Sequence, residues 1–217
     1  MSGALSADDW FRSSGWDGPA RELFEQKLSR ARSWNAPQYL RIKGLTLLES
    51  GNVEPGRLLL LRLIAEYSQD TLEVSAAHEF LGESYHGEGK ARDAEHHYRA
   101  AMSFGEPGST TQLLLAELLL DTEQVDRYAE ARALLIDERL AQEVESLRSD
   151  AFRHAVALAR VEARLGNAPS ASRWAIRALA LRDEDVTGPQ FPRHRDVGRV
   201  RPPPSLVAEL AALAAAR

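Results

Sequence analysis

Apolar and small residues recur at helical spacing on both sides of a polar turn in the middle of the chain. Before the turn these residues are Ala77, Leu81, Gly82 and Tyr85, and after it they are Ala94, Tyr98 and Ala101. Steps of three and four residues place each set on one face of an α-helix. The turn, residues 86–92, carries glycines that can end the first helix and reverse the chain. The pattern predicts two helices joined by a tight turn, each burying one stripe against a neighbour.

This unit resembles the tetratricopeptide repeat (TPR), a helix–turn–helix unit of about 34 residues. The family pattern asks for a Leu-Gly pair, a tyrosine, a turn glycine, an alanine, an aromatic residue, a second alanine and a proline. Those roles fall here on Leu81, Gly82, Tyr85, Gly89, Ala94, Tyr98, Ala101 and Pro107. The early tryptophan of the family is replaced by His78. The resemblance implies that this segment is one repeat of an array.

Weaker copies of the same pattern lie on both sides of this unit. The residues in the place of Gly82 are Gly44, Ala116 and Ala159, so the successive positions are separated by 38, 34 and 43 residues. A small residue at each position lets two helices approach closely. The middle interval equals the family period, and the other two imply insertions in the loops. The repeats are expected at about 37–70, 75–108, 109–142 and 148–182.

The resemblance therefore implies an all-α fold. We expect a right-handed α-α superhelix (a TPR-like solenoid) of about four helix-turn-helix repeats with capping helices, nine or ten helices in all. Residues 1–36 are interpreted as an N-terminal capping segment, with Trp10 and Phe11 covering the first repeat and a lone helix following them. Residues 37–182 hold the repeats, 183–204 form a Pro/Arg-rich arm, and 205–217 form a C-terminal helix with Leu206, Leu210 and Leu213 facing inward.

Composition narrows the classes of function. The 217-residue chain has no cysteine, so disulfides, thiolate metal sites and cysteine nucleophiles are excluded. Its net charge of −5 argues against general binding to nucleic acid, which needs clustered cations. No signal peptide is visible, and no apolar run approaches the length that crosses a bilayer. We expect a cytoplasmic protein without membrane or nucleic-acid partners.

The glycine-rich turn has a superficial likeness to a phosphate-binding loop. Gly82 and Gly87 have the right separation, but a true loop follows a strand and continues with Gly-Lys and then Ser or Thr. Here glutamate follows Gly87, and Ala91 follows Lys90. The interpretation is instead structural: Gly89 closes a helix, and Gly87 permits close packing.

Histidines and acids near this turn raise the question of a metal site. Glu83 and His86 form one Glu-x-x-His pair, whereas carboxylate-bridged di-iron bundles use two such pairs and two further glutamates. His96 and His97 are adjacent and point about 100° apart on a helix of 3.6 residues per turn. We expect no metal and no cofactor, with these histidines on a polar surface. A metal-dependent enzyme centred on Glu83 and His86 remains an alternative.

Catalytic residue sets are also absent from the sequence. No G-x-S-x-G elbow surrounds any serine, and paired carboxylates on helices usually form solvated faces. No catalytic residue is therefore assigned, and an enzyme is not expected.

The resemblance places ligand contacts on the first helix of each repeat, where these helices line a concave groove. The register gives Gln38, Leu45, Glu49 and Leu113 as groove positions, together with nine polar candidates. The predicted partner-binding residues are Arg41, Glu79, Glu83, His86, Glu117, Asp121, Arg153, Arg160 and Arg164. Along the groove, the charge of these residues is mixed in the first repeat, acidic in the second and third, and basic in the fourth. The expected function is an adaptor or scaffold that binds another protein or a peptide. The alternative is that these residues form only a solvent-exposed helix face with no partner.

The C-terminal part leaves two further alternatives open. The arm carries Arg193, His194, Arg195, Arg199 and Arg201, a set suited to a phosphate or an acidic partner. It is also interpreted as folding back, with Phe191 covering the last repeat near Trp174. The apolar C-terminal helix can cap this chain or a second copy, so a self-assembling structural or regulatory subunit, a homo-oligomer through this helix, is the alternative function. The partner's identity and the pathway are not encoded in these patterns.

Overall fold

The computed structural model describes residues 10–104, 109–123, 125–182 and 197–216. These ranges contain eleven α-helices, one short 3-10 helix and no strand, which confirms the all-α prediction. The α-helices are α1 (Gly18–Leu28), α2 (Ala36–Glu49), α3 (Val53–Glu66), α4 (Thr71–Gly87), α5 (Ala91–Met102), α6 (Ser109–Asp121), α7 (Tyr128–Leu135), α8 (Glu138–Val144), α9 (Arg148–Arg164), α10 (Ala168–Ala180) and α11 (Pro204–Ala215). The short helix α8 is the one that the sequence pattern did not predict.

The chain divides into two compact units, Met1–Pro107 and Gly108–Arg217. In the N-terminal unit, α2 packs along α3 and α4 packs along α5, while α4 also contacts α2 and α3. In the C-terminal unit, α6 packs on α7, α8 and α9, while α9 packs along α10 and α11 covers both. Consecutive helices therefore pair as the periodicity indicates.

Local signals explain where the helices begin and end. Asp17, Asp70 and Asn167 cap α1, α4 and α10 by accepting backbone hydrogen bonds in the first turn. Gly51 and Gly89, which follow α2 and α4, have φ angles of 83° and 73°. This left-handed conformation favours glycine and ends a helix. The prediction that Gly89 closes a helix is confirmed.

Glycines on the helices allow two close crossings in the N-terminal unit. A Cβ atom at Gly82 would lie 2.5 Å from two ring carbons of Tyr98, and one at Gly44 would lie 2.9 Å from Leu60. The helices are in contact because these side chains are absent. The prediction that Gly87 permits close packing is wrong, since a Cβ atom at this position would meet nothing within 4 Å. Gly87 lies in open space at the end of α4.

An aromatic cluster covers the start of the N-terminal unit. The Trp10 ring lies 5.2 Å from that of Phe24, and the Phe11 ring lies 4.7 Å from that of Tyr39. Lys43 is almost wholly buried beneath this segment and donates hydrogen bonds to backbone oxygens of Ser13 and Gly15. The covering role predicted for Trp10 and Phe11 agrees with these contacts.

Leucine and alanine fill the C-terminal unit. Six leucines of α6 are buried, namely Leu113, Leu114, Leu115, Leu118, Leu119 and Leu120. Leu210 of α11 is fully buried, and Leu206 and Leu213 pack against the same cluster, as predicted from their spacing. Helix α11 thus covers α9 and α10 of its own chain. Phe191 and the arm residues 183–196 lie outside the described residues.

Among the helices that the structure describes, none combines the length and the apolar composition that crossing a bilayer requires.

Candidate functional site: the α2–α4 cleft

An open cleft of about 540 Å³ lies between α2 and α4 in the N-terminal unit. We call it the α2–α4 cleft, and its lining residues are Leu45, Leu48, Glu49, Val53, Phe80, Glu83, Ser84, Gly87 and Glu88. The four apolar side chains are each only partly buried, so the cleft presents an accessible apolar floor. Because the floor stands on two packed helices, its geometry is better defined than that of a loop site.

Carboxylates border this apolar floor. Glu49 and Glu83 are exposed and place their carboxylates at the edge of the cleft. Glu88 is compensated, since its carboxylate lies 3.0 Å from Arg57 and 2.9 Å from Lys90. These two cations hold the pKa of the Glu88 carboxyl below its ordinary value.

Arg57 fixes the wall of the cleft from beneath. Its side chain is buried and donates hydrogen bonds to the hydroxyl and the backbone oxygen of Ser84, at 3.0 and 2.9 Å. The guanidinium also lies over the Tyr85 ring, 4.1 Å from its centroid. A buried charge with this many partners holds α3 against α4 in one arrangement.

Other predicted groove residues of this unit lie outside the cleft lining. Arg41 of α2 forms an ion pair with Glu73 of α4, a carboxylate that is itself nearly buried. Glu79 is half-buried on α4, and the His86 ring packs edge-on against Tyr98, 6.5 Å between centroids. The structure therefore brings together Glu83 with the register positions Leu45 and Glu49, but not Arg41, Glu79 or His86.

In the C-terminal unit, the predicted charges face one another across neighbouring helices. Arg153 of α9 donates to both carboxylate oxygens of Glu117 on α6, with the longer bond at 3.1 Å. Arg160 donates to both oxygens of Glu209 on α11, at 2.7 and 2.8 Å. These hydrogen bonds hold the pKa of Glu209 below its ordinary value. The basic end of the predicted groove is thus compensated by carboxylates of this chain.

A pocket of about 370 Å³ lies beside this second ion pair. Asp121, Glu123, Arg164 and the Arg160–Glu209 pair line it. Arg164 donates to the hydroxyl of Tyr128 at 2.6 Å and lies 3.6 Å from Glu123. Three acidic residues and two arginines line this pocket, so neither sign of charge dominates its lining.

Phe80, Leu48 and Val53 are the cleft residues that the sequence reasoning missed. Phe80 precedes Glu83 by three residues, and Leu48 follows Leu45 by three, so both lie at helical spacing from assigned positions. That spacing was the available signal. It does not separate these residues from the core, because most apolar residues of a helical repeat are buried between helices.

A second open cleft, of about 580 Å³, lies where connecting segments meet in the same unit. Trp34, which is 68% exposed, and Leu72, which is 74% exposed, stand at this cleft beside Tyr67. Much of its lining comes from the segments before α2 and before α4 rather than from helix faces. We therefore give the α2–α4 cleft precedence as the candidate site.

The histidines are arranged differently from the expectation. His97 is buried, only 8% exposed, and its Nδ1 lies 2.9 Å from Nδ1 of His78. The assignment of His97 to a polar surface is therefore wrong. Within the described ranges, no three histidine or acidic side chains stand close enough together to hold a metal ion.

Comparisons with protein-family models, with curated proteins and with solved structures give no match to this chain.

Proposed function

We propose that this protein is an adaptor that binds another protein or a peptide through the α2–α4 cleft. The carrying observation is the cleft itself: an accessible apolar floor bordered by Glu49 and Glu83, between the first helices of two successive helix pairs. Clefts that are mostly apolar with a few fixed polar groups are the usual form of binding sites.

The TPR-like solenoid is part of this proposal. Three features support it. The helices are paired, a glycine with a positive φ angle follows α2, α4 and α9, and small residues lie at the helix crossings. In that family the first helices carry the ligand contacts, and α2 and α4 are the first helices of their pairs. The likeness thus supports the same surface that the cleft geometry favours.

The lining of the cleft defines the partner's chemistry. Leu45, Leu48, Val53 and Phe80 suit an apolar side chain, which gains about 1.5–3 kcal/mol when a full side chain is removed from water. Glu49 and Glu83 suit lysine or arginine residues next to it. We therefore propose a segment in which one large apolar residue is flanked by basic residues.

The test measures affinity between the full chain and a library of synthetic 12-residue peptides. Each peptide carries one leucine or phenylalanine flanked by lysine or arginine, and its matched control has glutamate at the flanking positions. We expect basic-flanked peptides to bind the wild-type chain, and Glu49→Lys or Glu83→Lys to weaken binding at least about tenfold, or about 1.4 kcal/mol.

Glu22→Lys supplies the matched control, because Glu22 is an exposed glutamate on α1 outside the cleft lining. This variant has the same change in net charge and should keep the wild-type affinity. The proposal fails if no basic-flanked peptide binds the wild-type chain. It also fails if Glu83→Lys and Glu22→Lys bind equally well.

A further inference from the structure

A column of stacked rings runs between α4 and α5 and ends at a buried arginine. Phe104 stacks on His78 at 6.0 Å, His78 lies 5.1 Å from His97, and His97 stacks on Tyr85 at 5.4 Å and 5°. Arg57 of α3 lies over the Tyr85 ring, 4.1 Å from its centroid. Five side chains from three helices and the segment after α5 thus form one continuous contact.

Two imidazoles form the polar link in this column. His78 and His97 face each other through their Nδ1 atoms at 2.9 Å, a hydrogen-bond distance. One nitrogen must carry the proton, and the other must accept it with its lone pair. The contact therefore allows one proton between the two nitrogens. When both imidazoles are protonated, two N–H donors and two positive charges face each other at this distance.

The column connects with the α2–α4 cleft through Arg57. The guanidinium that covers Tyr85 also donates to Ser84 and lies 3.0 Å from the Glu88 carboxylate. Ser84 and Glu88 both line the cleft. A displacement of Tyr85 therefore changes the support of the cleft wall, because the same cation holds both.

We propose that the His78–His97 pair is an acid-sensitive contact that sets the shape of the α2–α4 cleft. At neutral pH the pair shares one proton, and the column holds Arg57 against Ser84 and Glu88. Protonation of both imidazoles breaks the pair, loosens Tyr85 and alters the cleft. The consequence for partner binding rests on the proposed function, whereas the change in cleft shape does not.

The surroundings of the pair set the direction of the effect. Burial, the largest cause, and the charges of His78, His96 and Arg57 lower the pKa of His97 to about 4. Asp93 on the same helix has the opposite, raising effect. Burial, followed by the charge of His96, lowers the pKa of His78. Tyr85 of α4 is a further titratable neighbour and stacks on His97, and Lys90 lies over the Tyr85 ring.

Both histidines have folded-state pKa values below the unfolded value of about 6.5. The neutral pair therefore contributes its full stabilisation above pH 6.5 and loses it as the pH falls toward 4.

The test follows the imidazole and methyl NMR resonances of the full chain between pH 7.5 and 4, with no ligand present. We expect His97 to titrate near pH 4 and the methyl groups of Leu48 and Val53 to shift with the same midpoint. In His97→Asn, whose side-chain amide can still bond to His78 without titrating, that part of the methyl shift should vanish. Any part of the methyl shift that does not come from the His78–His97 pair should remain in this variant.

Two further variants complete the design. His78→Asn tests the pair from the other side if His97→Asn does not fold. His96→Gln, at an exposed position on α5, removes a charge that lowers the pKa of both histidines, so both midpoints should move upward and the methyl shift should follow that of His97. A His97 midpoint near 6.5, or identical methyl titrations in wild type and in both asparagine variants, would overturn the proposal. Failure of peptide binding with the methyl response intact would instead remove only the adaptor function.

Discussion

The α4–α5 pair and the α9–α10 pair bring two helices together with different residues. At the first crossing, Gly82 faces the large ring of Tyr98, which is fully buried. At the second, alanines on both helices are buried to within 1% exposure, namely Ala155, Ala159, Ala171, Ala175 and Ala178. The α4–α5 pair thus packs a glycine against a large aromatic ring, whereas the α9–α10 pair has small side chains on both helices.

The two solutions differ in how much depends on a single residue. A glycine facing a tyrosine fits in only one register, since a shift of one residue would place a side chain against the ring. An alanine face has nearly the same depth at every position, so its contact energy is distributed. We expect the α4–α5 pair to be sensitive to point substitution and the α9–α10 pair to tolerate it better.

The largest effect is expected for Tyr98→Ala. Truncation removes a fully buried aromatic ring and leaves a cavity opposite Gly82, so it should lower the free energy of unfolding by about 3–5 kcal/mol. Chemical denaturation monitored by circular dichroism measures this loss. The aromatic control is Trp34→Ala, because Trp34 is 68% exposed and should cost no more than about 0.5 kcal/mol. Equal losses for the two variants would contradict the central role of Tyr98.

A smaller loss of stability is expected for Gly82→Ala. This variant separates the steric effect of the added methyl group from the effect of alanine on helix propensity. The added methyl group would lie 2.5 Å from two ring carbons of Tyr98, and overpacking of this kind costs about 1–3 kcal/mol. Alanine is otherwise the better helix former by about 1 kcal/mol. The matched control is Gly87→Ala on the same helix, where the methyl group meets nothing within 4 Å.

Urea denaturation of both glycine variants checks this prediction. Gly82→Ala should unfold at lower urea than wild type, and Gly87→Ala at the same or higher urea. If Gly82→Ala were as stable as wild type, the close approach of α4 and α5 would not depend on the missing side chain.

The contrast between the two pairs also explains which helices the sequence revealed well. The α4–α5 unit was recognisable alone because glycine and tyrosine leave a distinctive pattern at fixed spacing. The alanine-rich α9–α10 unit needed its neighbours to be identified. Helix α8, Glu138–Val144, was missed because seven residues span barely two turns and give no clear period.

The candidate site was only partly predictable for a different reason. The resemblance to the repeat family, carried over by register, assigned Leu45, Glu49 and Glu83 to the groove, since spacing along a helix fixes which residues share a face. It did not reveal that Arg153 and Arg160 have carboxylate partners. Those partners, Glu117 and Glu209, are 36 and 49 residues away. Such pairings depend on how helices rotate against one another, which the spacing of residues within one helix does not record.

The burial of His97 was hidden by the same limit. Its polar neighbour His78 is 19 residues away on the preceding helix. In sequence, a histidine next to a second histidine on a charged helix is typical of a solvated face. Only the packing of α4 on α5 shows that the buried His97 imidazole and the half-buried His78 imidazole lie within hydrogen-bond distance of each other.

The smallest expected effect concerns the ion pair that joins α9 to α11. Arg160 and Glu209 are bidentate, but each side chain is about 40% exposed, so solvent screens their attraction and its contribution should be at most about 1 kcal/mol. Reversal of either charge, Arg160→Glu or Glu209→Arg, places like charges together, and the double exchange should restore most of the loss. Thermal unfolding of the four proteins in low and high salt measures the coupling, which should shrink as salt is added. If the double exchange were no more stable than the single variants, packing of Leu210 and its neighbours would hold α11 without help from the charges.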